Sequence, residues 1–95
     1  MAQFITRVEL HGVNHDHSSY QVLHEAMKAA GFLRTITGSN NTAYHLPTAE
    51  YNLINSLTLL QVLELAKAAA ATTGKQYSVL TSHINQATWY NLPQV

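Results

Sequence analysis

Residues 4–20 have the sequence FITRVELHGVNHDHSSY, and this stretch predicts a strand, a polar loop and the start of a helix. In its first half, side chains alternate with a period of two, which is typical of a strand buried on one face. Gly12 ends this strand, because glycine adopts backbone angles that other residues resist. The loop contains Asn14, His15, Asp16 and His17, and Ser18 opens the helix. One strand face has Phe4, Thr6, Val8 and Leu10, and the other has Ile5, Arg7, Glu9 and His11.

Outward from this stretch, the pattern predicts two helices and three further strands. Ser18 with Gln21 and Thr58 with Gln61 have the spacing of capping boxes at the two helix starts. Residues 48–56 either extend the third strand after a bulge or form a loop over the core. The predicted helices span residues 19–30 and 59–72, and the three strands span 32–37, 42–46 and 76–82.

The order strand, helix, strand, strand, helix, strand favours an α+β ferredoxin-like sandwich over residues 1–95 as a single domain. In this arrangement two helices cover one face of a four-stranded antiparallel sheet. The other face is left open, which agrees with the half-polar alternation of the first strand. The sequence therefore predicts that function resides on the open face or on its rim.

Composition limits the classes of partner. The five Lys and Arg residues balance five Asp and Glu residues, so the formal net charge is zero. Tight binding to duplex DNA requires many cations, and we expect no such partner. The chain has no cysteine, which excludes disulfides and thiolate metal sites. No apolar stretch has the length of a membrane span, so we expect a cytoplasmic protein without a membrane partner.

The first interpretation of the histidine-rich rim is a phosphodiesterase that needs no metal. RNA cleavage requires a base for the 2′-hydroxyl proton, an acid for the leaving oxygen and a cation for the charge on the phosphoryl group. His11 is the candidate base or acid, His17 its complement, and Arg7 the phosphate cation. Glu9 lies two positions from Arg7 on the same face, and we expect the two to pair.

Three other interpretations stay open. His11, His15, Asp16 and His17 are metal-ligand types, although their spacing matches no closed zinc pattern, and we predict no metal and no cofactor. Alternatively, the loop histidines are simply solvated and Asp16 caps the first helix. The last is binding without catalysis, either of single-stranded RNA on the open face or of a second copy through the sheet face or edge. The candidate RNA contacts are Arg34, Tyr44, His45 and His15, and we expect either Tyr44 or His45 on the open face. Trp89 and Tyr90 are further candidate contacts. We expect His24 and His83 to be surface or boundary residues.

Four segments together resemble a known family. They are VELHG at 8–12, YQVLHEAMKAAGF at 20–32 with RTI shortly after it, YHLPTAEY at 44–51 and VLELAKAAAATTGKQYSVL at 62–80. In order and spacing these segments resemble the GhoS family of small bacterial and phage proteins, the antitoxins of type V toxin–antitoxin systems. The resemblance implies a ferredoxin-like fold and endoribonuclease action on a toxin messenger RNA. Similar CRISPR-associated nucleases have an aspartate at the end of the first strand, where this chain has His11.

Overall fold

The computed structural model describes residues 1–95 and has an α+β architecture with two helices and five strands. Three strands form an antiparallel sheet and the other two form a separate ribbon. The elements in chain order are β1 Ala2–Leu10, α1 Ser18–Ala29, β2 Thr35–Thr37, β3 Ala43–His45, β4 Glu50–Asn55, α2 Leu59–Ala71 and β5 Tyr77–Ile84.

β1 is the central strand, with β4 on one side and β5 on the other. Its alternation predicts the structure correctly, because Phe4, Thr6, Val8 and Leu10 are buried while Arg7 and Glu9 are exposed. Both neighbours run antiparallel to it; Thr6, for example, lies opposite Tyr51 of β4 and Thr81 of β5. The Thr6 and Thr81 hydroxyls are 2.7 Å apart, so the buried threonine has a hydrogen-bond partner.

The expected four-stranded sheet is not what the structure contains. Residues 48–56, for which the sequence pattern allowed either a strand or a loop, include β4, and this strand belongs to the main sheet. β3 does not continue into it, because Pro47 accepts a turn hydrogen bond from Glu50 and Ala49 adopts a left-handed φ of 68°. The β2–β3 ribbon is linked to β4 by a single antiparallel bridge between Leu33 and Asn52.

Both helices contribute to one core on the same side of the main sheet. A cluster of 14 buried residues joins the inward side of β1 and β4 to Leu23 and Met27 of α1 and to Val62 and Ala66 of α2. The small side chains of α2 permit close packing. The capping box predicted at Thr58 and Gln61 is confirmed, since each side chain bonds to the other residue's backbone N–H. Neither helix is long and apolar enough to cross a membrane.

The C-terminal tail lies against the ribbon. The backbone of His45 donates to Pro93, and Tyr44 pairs with Gln94. The rings of Trp89 and Tyr44 are 5.3 Å apart between centroids. The tail and the ribbon also line a cleft with Gln3 of β1, so they occupy the end of the sheet where β1 begins.

Candidate functional site

The uncovered face of the main sheet is the side of β1 that has Ile5, Arg7 and Glu9, together with the residues beside them on β4 and β5. In register, Arg7 lies between Glu50 of β4 and Leu80 of β5. Leu80 is 67% exposed, so no other element of the chain covers this part of the face. The far end of the same face, near Gln3, is the part that the tail and ribbon approach.

Arg7 has an exposed guanidinium group without a carboxylate partner. The expected pairing with Glu9 is absent, and the only ion pair in the structure joins Lys67 to Glu64 on α2. The absence follows from strand geometry, because residues two apart on a strand are separated by nearly 7 Å and their side chains extend into solvent. Arg7 thus makes no ion pair, but an anion that approaches it on the uncovered face also meets Glu50, opposite it on β4, and Glu9.

His11 lies in the turn that follows β1 and is exposed. Its backbone N–H donates to the Gln76 carbonyl at 2.8 Å, which attaches the turn to the start of β5. Its Nε2 lies 2.8 Å from the Ser78 hydroxyl. Because a serine hydroxyl either donates or accepts, this contact permits both tautomers of the imidazole. His11 is thus held in place while Nδ1 has no partner within the protein.

His17 has a structural role that the sequence analysis missed. It is the N-cap of α1, with extended backbone angles, and its Nδ1 accepts a hydrogen bond of 3.1 Å from the Ser19 N–H. The capping box predicted at Ser18 and Gln21 is therefore wrong, because Ser18 is already the first helical residue. Asp16 does not cap the helix either. Nδ1 of His17 satisfies one of the N–H groups that every helix start leaves free.

The four candidate RNA contacts have different neighbours. His15 packs edge-on against Tyr20, with ring centroids 5.1 Å apart. Tyr44 is half-buried beside Trp89, and its hydroxyl accepts from Asn40 at 3.1 Å. His45 is exposed on the ribbon, and Arg34 is exposed in the bend that leads into β2. Tyr44 and His45 belong to the separate two-stranded ribbon, so the expectation that one of them lies on the open face of the main sheet is wrong. Tyr90 is 92% exposed, whereas Trp89 anchors the tail.

A second polar group, which the sequence analysis did not identify, lies between α1 and β4. His24 is half-buried, and its Nδ1 is 2.6 Å from the hydroxyl of Tyr51, a fully buried residue. Burial, with a smaller contribution from the positive charge of Arg34, lowers the pKa of His24 below its ordinary value. Burial raises the pKa of Tyr51, so its hydroxyl stays protonated. One feature of the sequence indicated that His24 faces an aromatic residue: Tyr20 and His24 are four residues apart and so lie on one face of the helix.

No group of three or more His, Asp or Glu side chains is arranged to hold a metal ion. Among known proteins, no family model matches the chain, and no curated protein matches it either.

Proposed function

We propose that the chain is a small RNA-binding protein of the GhoS type that takes single-stranded RNA on its uncovered sheet face. The observation that supports this most directly is the exposed guanidinium of Arg7, which makes no ion pair, on the strand that leads to the exposed His11. An unpaired arginine is the side chain best suited to a phosphate group, because its fork donates two parallel hydrogen bonds. The chain's zero net charge favours such local contacts over broad electrostatic attraction.

The proposed fold is a variant of the ferredoxin-like sandwich in which residues 33–37 act as the outer strand. Leu33 and Asn52 exchange two backbone hydrogen bonds of 2.8 and 2.7 Å, as neighbouring antiparallel strands do. The Asn52 side chain supports the junction, since its Nδ2 donates to the Thr35 carbonyl and its Oδ1 accepts from Gln3. The interruption at Pro47 and Ala49 then divides one long strand into β3 and β4.

Metal-independent RNA cleavage is the proposed activity of this surface. His11 takes the proton of a 2′-hydroxyl, the freed oxygen bonds to phosphorus, and the P–O5′ bond breaks to leave a 2′,3′-cyclic phosphate. Arg7 neutralises the charge on the phosphoryl oxygens. His17, at the start of α1, is the proposed acid for the O5′ leaving group. In this role it reacts as the imidazolium, whose Nδ1–H no longer accepts from the Ser19 N–H, and it gives the proton on Nε2 to the leaving oxygen.

The test uses purified protein and fluorescently labelled single-stranded RNA in the presence of a chelator. We expect Arg7→Gln to weaken binding by about tenfold, the equivalent of one charge-assisted hydrogen bond. We expect His11→Ala to abolish cleavage while RNA still binds. Lys67→Gln removes a cation from the opposite layer of the molecule and serves as the matched control. Equal RNA binding by the Arg7→Gln, His11→Ala and Lys67→Gln variants would contradict the proposed surface.

A second candidate function is self-association through the free edge of β5. This strand has eight residues and pairs on one side only. It contains no Lys, Arg, Asp, Glu or Pro, the residues that normally protect an exposed edge. A neutral chain also lacks the charge repulsion that keeps copies apart. A second copy aligned antiparallel along β5 would satisfy the free backbone groups.

Sedimentation velocity over a range of concentrations distinguishes the two candidates. A concentration-dependent dimer that Leu80→Lys abolishes, with no RNA binding, supports the edge interface. A monomer at all concentrations, together with RNA binding that depends on Arg7, supports the first proposal.

A further inference from the structure

A groove on the helix side of the molecule contains cationic and polar side chains that the proposed RNA surface does not use. It lies between α1 and the segment that leads into β2. His24 and Lys28 line it from α1, and Arg34 lines it from the other side. Tyr51, which bonds to His24, belongs to the core beneath the helices, so this groove is distinct from the uncovered sheet face.

The bond to Tyr51 determines which nitrogen of His24 has the proton. Tyr51 is fully buried, and His24 Nδ1 is the one hydrogen-bond partner of its hydroxyl. Since a buried hydroxyl donates its proton wherever an acceptor is present, Nδ1 accepts. The neutral imidazole then has its proton on Nε2. His24 is consequently a hydrogen-bond donor at Nε2, and it is unsuited to act as a base there.

Two cations in the same groove complete a set of donors. Neither Lys28 nor Arg34 takes part in an ion pair, and Glu25 is the one carboxylate that lines the groove. We propose that this groove binds a phosphate group through Arg34, Lys28 and the Nε2–H of His24. Donor residues line both walls of the groove, and a guanidinium fork can bind two oxygens of a tetrahedral oxyanion. The phosphate is that of a phosphate monoester or of an RNA backbone.

Binding of the anion is linked to the protonation of His24. The groups around this imidazole are Tyr20, Glu25 and Lys28 on α1, Tyr51 on β4, Arg34 before β2, and His15 against Tyr20. Burial and Arg34 hold the pKa of His24 below its usual range, and a bound anion opposes both effects. Phosphate therefore raises the pKa of His24 and, by reciprocity, binds more tightly as the pH falls.

The experiment follows the ring protons of His24 by NMR at constant ionic strength while inorganic phosphate is added at several pH values. We expect a saturable shift and a higher pKa of His24 in the bound state. Arg34→Gln should weaken phosphate binding by about tenfold or more. Lys67→Gln, which removes an exposed cation from α2, should leave it unchanged. Tyr51→Phe keeps the ring but releases Nδ1, and it should weaken phosphate binding.

Two further titrations identify the source of the phosphate. If a nucleoside 5′-monophosphate alone reproduces the His24 shift, the ligand is a phosphate monoester. If a short single-stranded RNA with a 5′-hydroxyl also reproduces it, the groove accepts RNA backbone; both results support the phosphate site. His24 signals that do not move, or that respond equally in Arg34→Gln and Lys67→Gln, would overturn it.

Discussion

At the scale of single residues, the two best-placed histidines differ in what their partners allow. His11 is exposed beside Ser78, whose hydroxyl permits either tautomer. His24 is half-buried beside Tyr51, whose hydroxyl permits one neutral tautomer. The first arrangement suits proton transfer and the second suits the fixed donation of a hydrogen bond. Histidine content alone does not distinguish them, because the partner of each is distant in the chain. Tyr51 is 27 positions from His24, and Ser78 is 67 positions from His11.

His17 allows its structural and chemical roles to be separated. We expect His17→Ala to lower the free energy of unfolding by about 1 kcal/mol, because α1 loses its N-cap. His17→Asn keeps a capping side chain and should retain stability by chemical denaturation. If His17 is the acid, His17→Asn nevertheless loses RNA cleavage. Full cleavage by a stable His17→Asn protein would remove this residue from the mechanism.

His24 makes stability depend on pH. The lowered pKa of His24 in the folded state means that the unfolded chain binds a proton more readily near its ordinary value of 6.5. The contribution of neutral His24 to the free energy of unfolding is thus complete above pH 6.5, and it is lost as the pH falls from there towards the folded-state pKa. We expect urea denaturation to show a smaller loss of stability between pH 7.5 and 5 in His24→Gln than in the parent protein. Identical pH profiles would contradict the buried, neutral state of His24.

At the scale of elements, Asn52 is the link between the ribbon and the main sheet. It is 5% exposed, and its amide bonds to both Gln3 and the Thr35 carbonyl. We expect Asn52→Ala to lower the free energy of unfolding by about 1–3 kcal/mol, because those two groups lose buried partners. Hydrogen exchange should accelerate most in Thr35–Thr37. Asn85→Ala, at an exposed position, is the matched control and should change neither property.

Local patterns predict the elements well where one periodicity dominates. The alternation of β1 and the capping box of α2 are both evident in the sequence because they depend on residues close together in the chain. The break between β3 and β4 is different, since it requires Ala49 to adopt a left-handed conformation that alanine rarely takes. The N-cap at His17 was missed because serine is the commoner capping residue. His24 was missed because its partner, Tyr51, belongs to a strand that the pattern did not resolve.

At the scale of the whole molecule, the two proposed phosphate-binding surfaces lie on opposite sides of one thin sheet. The helices bury the inward side of β1 and β4, which leaves Arg7 and His11 accessible from the other side. The tail and ribbon occupy only the end near Gln3. We therefore expect single-stranded RNA to bind on the uncovered face, at the end where Arg7 and His11 lie.

The most direct test is an NMR titration of the labelled protein with a short single-stranded RNA, read at each backbone amide. The account predicts saturable shifts at Arg7, Glu9, His11 and Ser78 that Arg7→Gln suppresses. Any response of the His24 groove should persist in that variant. Shifts confined to the helix side, or an absence of shifts along β1 at RNA concentrations that saturate binding, would contradict it.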